Sequence, residues 1–168
     1  LGDVYKRQHK ASHHFDLLNW WIDSDPESVY ALGSLDHYGK NGTFRAENCR
    51  TCPHTSKCKF YYDITRNQNY MDLYVANEKY DGYLRDGCVF KNDVNIFDKM
   101  AATIRYKNGV QVAYSLTTYS PYEGYRIAFN GTKGRLEAWI QESRPTSDVN
   151  FDELVLFKNF GKREYIQI

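Results

Sequence analysis

The sequence lacks both a long apolar run and a net charge of either sign. Its 22 Lys and Arg residues almost balance its 21 Asp and Glu residues, which leaves a formal charge of +1. No stretch approaches the roughly 20 apolar residues that cross a bilayer, and there is no basic block of the kind that binds nucleic acid. We therefore expect no membrane and no nucleic acid as the principal partner, and a cytoplasmic location.

A glycine-rich G-x-G-x-x-G turn after a strand is also absent, so these residues do not bind a dinucleotide phosphate by that route. Aromatic side chains, in contrast, are abundant, with 15 tyrosines. Such a composition suits a surface that stacks on sugars and equally suits the core of a β-rich domain. The tyrosine content alone does not decide between them.

One titratable pair stands at the start of a predicted helix that ends near Ile22. His13 and Asp16 are three residues apart and therefore share a helical face, and Ser12 is placed to be the N-cap. The free N–H groups of a first turn favour a neutral imidazole at His13, while Asp16 could orient the ring. This arrangement suits proton transfer, and the alternative is that His13 and His14 only decorate a structural helix.

The same helix carries several large apolar residues that we expect to be buried. The spacing predicts that the face shared by His13 and Asp16 continues inward. Its predicted inward members are Leu17, Trp20 and Trp21.

The rest of the chain indicates strands joined as successive hairpins, which favours antiparallel order. We predict an α+β fold: an open, mainly antiparallel β-sheet with helices packed on one face. Residues 36–66 are an irregular excursion, and a short helix follows within residues 67–78. The predicted strands cover residues 28–35, 100–106, 110–118, 125–129, 135–140 and 151–157, with a polar linker at residues 141–150.

Three of the four cysteines are clustered in the irregular excursion in a C-x2-C-x5-C arrangement. Two thiolates separated by two residues suit a tetrahedral zinc ion, which would stabilise a loop that has no core of its own. Unpaired thiols and a disulfide remain open as alternatives. The candidate metal ligands are Cys49, Cys52, Cys58 and Cys88, with His54 as an alternative fourth ligand.

Two further motifs complete a resemblance that begins in the first helix. The order His13-x-x-Asp16-Leu17-Leu18-x-Trp20, then Asp25-Pro26 and a strand, then the turn from Phe129 to Glu137, resembles the C-terminal substrate domain of the glucose-fructose oxidoreductase and inositol dehydrogenase (Gfo/Idh/MocA) family. The likeness runs from about Lys10 to Glu137. It implies an oxidoreductase that uses NAD or NADP on a sugar, cyclitol or related polyol, and a homo-oligomer formed through the sheet.

The resemblance also implies roles for particular residues. The histidine that matches His13 lies beside the nicotinamide and the carbon being oxidised, and it shares the removal of the hydroxyl proton with a lysine from another domain. We assign His13 and Asp16 to catalysis, with Asp16 orienting the ring. Relatives often carry a histidine where this chain has Lys99 and an acidic residue where it has His9, so neither position supports a further catalytic group.

Substrate contacts are expected from the tyrosine-rich part of the chain as well. Alternation from Tyr114 to Tyr125 should send one set of side chains to an open face, where they could contact substrate or a neighbouring subunit. An ordinary aromatic sheet surface is the alternative. The candidate substrate-binding residues are His14, Tyr119, Tyr122 and Arg126, with Tyr125 beside them.

Residues 1–8 resemble a translated adaptor from a sequencing library. We expect residues 9–168 to form a substrate-binding and oligomerisation domain, a fragment that lacks an N-terminal dinucleotide-binding domain. The alternative function is a non-catalytic binding or dimerisation module of the same fold.

Overall fold

The computed structural model describes residues 11–143 and 152–166. The predictions for residues 1–8 and for most of the polar linker lie outside these ranges. The described chain divides into two compact units, Leu1–Thr118 and Tyr119–Ile168. No helix among the described residues is long and apolar enough to span a membrane.

The first unit contains a three-stranded antiparallel sheet in the order β1-β2-β3. Its strands are β1 (Pro26–Ser34), β2 (Lys99–Tyr106) and β3 (Gln111–Thr117). Thr103 in the central strand lies opposite Tyr30 on one side and Ala113 on the other. The predicted turn between β2 and β3 is confirmed, and Gly109 adopts the positive φ of 87° that the turn requires.

Helix α1 (Ser12–Ile22) packs on this sheet through a stripe other than the predicted one. Leu18 is buried, and Phe15 and Ile22 pack on the sheet core of Ala102, Ile104 and Tyr106. The predicted inward face is wrong, since Trp20 is 75% exposed and Trp21 is 40% exposed. Apolar residues surround this helix, so more than one stripe fits the helical period.

The predicted N-cap is also wrong. Ser12 is the first residue of the helix, and Ala11 before it already has helical backbone angles (φ −66°, ψ −34°) without a side-chain cap. At the other end, Asp23 terminates the helix in the left-handed conformation, and its N–H donates to the Asn19 carbonyl.

The excursion between β1 and β2 is irregular, as predicted, and has a small core of its own. Tyr38, Val89, Phe90 and Val94 are buried together. Helix α2 (Gln68–Leu73) confirms the short helix predicted within residues 67–78, and a further short helix, α3 (Glu78–Asp81), was not predicted. The side chain of Asn67 caps α2 by accepting from the Tyr70 N–H at 3.1 Å. Partly buried residues packed against the core are Leu35, Phe60, Cys88 and Ile96.

The second unit is a four-stranded antiparallel sheet in the order β4-β5-β6-β7. Its hairpin turn is short, because Gly131 lies directly opposite Gly134. The first three strands were predicted, whereas the last, which pairs with β6, was missed. The strands are β4 (Glu123–Gly131), β5 (Gly134–Ser143), β6 (Glu153–Lys158) and β7 (Arg163–Ile166).

The fold class is thus confirmed as α+β with antiparallel strands and few helices. The strands are divided between two sheets, one in each unit. The predicted alternation from Tyr114 to Tyr125 is interrupted, because β3 ends at Thr117 and β4 begins only at Glu123. Tyr119 and Tyr122 therefore lie in the connection between strands, where a period of two does not fix the direction of a side chain.

Candidate functional site at the start of helix α1

Two side-chain contacts fix the direction of α1 along β2. The Tyr106 hydroxyl donates to Oδ1 of Asn19 at 2.8 Å, and five residues earlier on the helix Nδ1 of His14 lies 2.9 Å from the Tyr114 hydroxyl. Tyr114 lies opposite Ala102, four residues before Tyr106 on β2. The helix therefore runs parallel to β2, and its first turn lies toward the end of the sheet where β2 begins.

His13 occupies this first turn, and its side chain is exposed. Asp16, one turn later, is exposed as well. Among the residues that the structure describes, no hydrogen bond or ion pair joins the two side chains. The structure thus keeps His13 on an open surface, where a substrate could reach it, and the orienting role of Asp16 stays a prediction.

His14 has a structural partner that the sequence did not reveal. Its half-buried ring bonds to Tyr114, and the neighbouring Phe15 ring packs on the same tyrosine with centroids 4.8 Å apart. These contacts fix the rotation of the helix about its axis. His14 therefore helps to keep its neighbour His13 on the outer face, and its contact with substrate stays a prediction.

Asp98, directly before β2, organises the same end of the sheet. Its carboxylate is 2% exposed and accepts the backbone N–H groups of Asp36, His37 and Tyr38 at 2.7–2.9 Å. Burial by itself raises the pKa of Asp98, but the three N–H donors outweigh it, so that the net pKa is lowered. Its backbone carbonyl also accepts from the N–H and hydroxyl of Thr118. One buried residue, through its carboxylate and its backbone carbonyl, thus ties together the ends of all three strands.

The loop held by Asp98 presents charged and titratable groups. Lys99 forms an ion pair with Asp36, and both side chains are about half exposed. The Lys99 hydrogen bond, followed by that of Ser34, lowers the pKa of Asp36. The exposed His37 packs edge-on against Phe60 at 5.7 Å between ring centroids. Sequence reasoning missed this cluster, because about 60 residues separate Asp36 and His37 from Asp98 and Lys99. The two segments are brought together only by the buried Asp98 carboxylate.

The remaining substrate-binding candidates lie in the second unit. The Arg126 guanidinium stacks over the Trp139 ring, 4.1 Å from the centroid, and its side chain is exposed. Tyr125 is half-buried on the opposite face of β4, because successive residues of a strand point to opposite sides. Arg126 and Tyr125 therefore do not share a surface. Roles in substrate binding for Tyr119, Tyr122 and Arg126 stay predictions.

The four cysteines line one small cavity in the excursion and are free thiols. Burial is the largest influence on the Cys49 thiol and raises its pKa. No three His, Cys, Asp or Glu side chains within the described ranges converge closely enough to form a ready-made metal site. The predicted ligands are thus neighbours around one cavity, without the convergence of a preformed site.

Comparison with known proteins agrees with the arrangement of helix and strands. Residues 8–152 match the oxidoreductase family, C-terminal alpha/beta domain (GFO_IDH_MocA_C). This chain belongs to that family. The match includes α1, both hairpins and the whole excursion, so the resemblance inferred from short motifs is confirmed over most of the chain.

A curated relative is similar over much of the same region. The chain is 34% identical over 143 residues to the protein called "Putative oxidoreductase YteT" of Bacillus subtilis (strain 168). The alignment covers 77% of this chain but only 33% of the relative. The chain therefore spans about a third of the length of the curated relative that it matches.

Proposed function

We propose that this chain is the substrate-binding part of an NAD(P)-dependent oxidoreductase that acts on a sugar, cyclitol or related polyol. The observation that carries the proposal is the exposed His13 at the start of α1, at the end of the sheet organised by Asp98. Family membership supports the reaction class. Free thiols support a location in a reducing compartment such as the cytoplasm.

The proposed reaction removes a hydride and a proton from a carbinol. NAD or NADP, bound by residues outside this chain, would accept the hydride. Imidazole is the side chain most often used for proton transfer near neutral pH, which suits His13 to the hydroxyl proton. Asp16 would orient or polarise that ring once substrate is bound, since the two residues are one helical turn apart.

Replacing His13 in the full-length protein tests this proposal. His13→Ala should lower kcat by roughly 10²- to 10⁴-fold, the usual contribution of one acid/base group, and leave cofactor affinity nearly unchanged. His54→Ala is a matched control, because that histidine lies in the cysteine-lined loop and packs on Phe44. Equal turnover in the His13 variant and wild type would contradict the catalytic role.

Arg126 supplies a separate test of substrate binding. Its guanidinium is exposed and held flat by Trp139, so it could donate to substrate hydroxyl groups. Arg126→Gln should raise KM with little change in kcat, since it removes binding that ground and transition states share. Arg135→Gln is the control, because Arg135 is already engaged by Glu137 and Asn130. An unchanged KM would remove Arg126 from the site.

A second candidate, a binding or dimerisation module, is favoured by one observation. Strand β1 exposes Tyr30 (69%) and Leu32 (64%) on one face of the sheet, and adjacent exposed apolar residues are typical of interaction surfaces. We propose that a second copy of the chain covers this strand in a homo-oligomer. Leu32→Glu should reduce the molar mass in light scattering, whereas Tyr80→Glu, at an exposed site on α3, should not. A mass unchanged by Leu32→Glu would contradict this interface.

A further inference from the structure

The four cysteines of the excursion meet around a cavity of about 20 Å³. That volume holds roughly one water-sized sphere, so the cavity has room for a single ion. Four aromatic residues, Tyr61 among them, line it together with the cysteines. Its lining includes Cys49, Cys52, Cys58 and Cys88 with Phe44, Phe60 and Phe90.

Backbone hydrogen bonds bring the distant fourth cysteine to the other three. The Cys49 N–H donates to the Asp86 carbonyl at 2.8 Å, and the Cys88 N–H donates to the Glu47 carbonyl at 3.1 Å. These two bonds flank the antiparallel bridge between Asn48 and Gly87. The juxtaposition of Cys88 with the C-x2-C turn is thus built into the backbone rather than left to side-chain rotation.

Local backbone geometry also places an N–H donor at one sulfur atom of this cavity. The Cys52 N–H donates to the Cys49 carbonyl at 3.3 Å, which closes a tight turn across the C-x2-C pair. The His54 N–H is directed at Sγ of Cys52 at 3.4 Å. Such N–H donors stabilise a thiolate more than a neutral thiol.

We propose that this cavity is a structural zinc site with Cys49, Cys52, Cys58 and Cys88 as its four ligands. Soft thiolates prefer zinc among the common divalent ions, and four of them form the closed tetrahedral shell of structural sites. The sulfur atoms do not converge as they stand, so binding draws them together by rotation of the cysteine side chains. Four Zn–S bonds form, four thiol protons leave to solvent, and no electron is transferred.

Zinc at this position would stabilise the excursion that also carries the Asp98 cluster. The loop's apolar cluster joins only four buried residues, which is little for a segment of that length. A metal ion that joins Cys49 to Cys88 would close a long loop, where cross-links stabilise most. The site therefore acts on the fold, and its test is independent of the proposed dehydrogenase reaction.

The test measures metal in the full chain purified under reducing conditions without a chelator or a metal-affinity column. Elemental analysis should give about one zinc ion per chain, and Cys88→Ser should abolish most of it. His54→Ala is the control and should keep the metal, because His54 packs on Phe44 outside the proposed ligand set. Removing zinc with a strong chelator should lower the Tm of the wild type by more than about 5 °C.

Cobalt substitution gives a readout that does not depend on stability. The wild type loaded with Co²⁺ should show intense thiolate-to-metal charge-transfer absorption and the visible bands of a tetrahedral ion, and Cys88→Ser should weaken both. Metal-free wild type with four reactive thiols would overturn the proposal. So would a disulfide in protein alkylated at lysis, zinc that persists unchanged in Cys88→Ser, or loss of zinc in His54→Ala.

Discussion

The sheet of the first unit and the excursion inserted into it are adjacent in sequence but are stabilised differently. The sheet buries apolar side chains in a regular pattern, with Ala102, Ile104 and Tyr106 alternating along β2. The excursion is ordered by buried charges that accept backbone N–H groups, above all Asp98 and Asp86. A pattern of period two can be recognised in a sequence, whereas a carboxylate that anchors a distant loop resembles any other aspartate.

The same difference explains which predictions succeeded. Hairpins β2–β3 and β4–β5 were predicted from alternation and from turns at Asn108-Gly109 and Gly131 to Gly134. Strand β7 was missed, because four residues with exposed side chains carry no alternation of burial. The inward face of α1 was wrong for a related reason. Helical spacing placed Trp20 on the inward face, but Leu18, Phe15 and Ile22 face the sheet instead.

The candidate site divides in the same way. His13 and Asp16 could be found from helical spacing and family resemblance, and the structure keeps both on an accessible surface. The contribution of Asp98 could not be found, because its partners Asp36 and His37 are bonded through backbone N–H groups, which any residue type supplies. Sequence therefore indicated the candidate acid/base residue but not the scaffold at the same end of the sheet.

The largest expected effect comes from removing a buried side chain from the core of the sheet. Ile104 is 5% exposed in the sheet core, and Ile104→Ala should lower the free energy of unfolding by about 2–5 kcal/mol, through lost burial and the cavity left behind. Urea denaturation measures it. Thr103→Ala is the control, since that side chain is exposed on the same strand. Similar losses in both variants would show that alternation does not define this core.

A smaller loss is expected when the buried carboxylate that orders the excursion is replaced. Asp98→Asn leaves one good acceptor for three N–H donors and places an NH₂ group against them. We therefore expect the free energy of unfolding to fall by about 2–4 kcal/mol. Asp93→Asn is the control, because the Asp93 side chain is 71% exposed. Its ion pair with Lys91 is a surface pair in which Nζ and Oδ2 are 3.4 Å apart. Equal stability of the Asp98 variant and the wild type would remove the carboxylate as the anchor.

Acid should affect the two halves unequally. The pKa of Asp98 is lowered in the folded state, so its contribution is present above the unfolded pKa of about 3.9 and is lost as the pH falls through the folded value. We expect amide exchange in residues 36–38 to lose protection in acid before the β2–β3 hairpin does. Simultaneous loss in both regions would indicate that the excursion and the sheet unfold together.

A smaller effect sharpens the description of the hairpin. Gly109 has a φ of 87°, and a Cβ placed there would meet no atom within 4 Å. Any cost of Gly109→Ala is therefore conformational, and we expect about 1–2 kcal/mol. Gly131→Ala tests a turn glycine without a positive φ and with only an ordinary contact. Thermal denaturation should rank Gly109→Ala below Gly131→Ala, and the reverse order would contradict the strain argument.

The smallest effect concerns the contact that joins the regular sheet to the helix of the candidate site. Tyr106 is 1% exposed, and its hydroxyl donates to Asn19. Tyr106→Phe keeps the ring but leaves the Asn19 oxygen without that donor. Near neutral pH we therefore expect the free energy of unfolding to fall by about 0.5–1.5 kcal/mol. Urea denaturation should show this loss, whereas Tyr80→Phe should leave the free energy of unfolding unchanged, because Tyr80 is 77% exposed.

Alkaline pH should reduce and then reverse the difference in stability between the wild type and Tyr106→Phe. Burial raises the pKa of Tyr106, so the neutral phenol contributes stability that is complete below the unfolded pKa of about 10 and is lost as the pH rises through the folded value. Tyr106→Phe has no group to ionise there, so wild type should lose stability faster between about pH 9 and 11. Parallel curves for the two proteins would show that the hydroxyl is accessible to water, and that α1 is held to β2 by the apolar stripe alone.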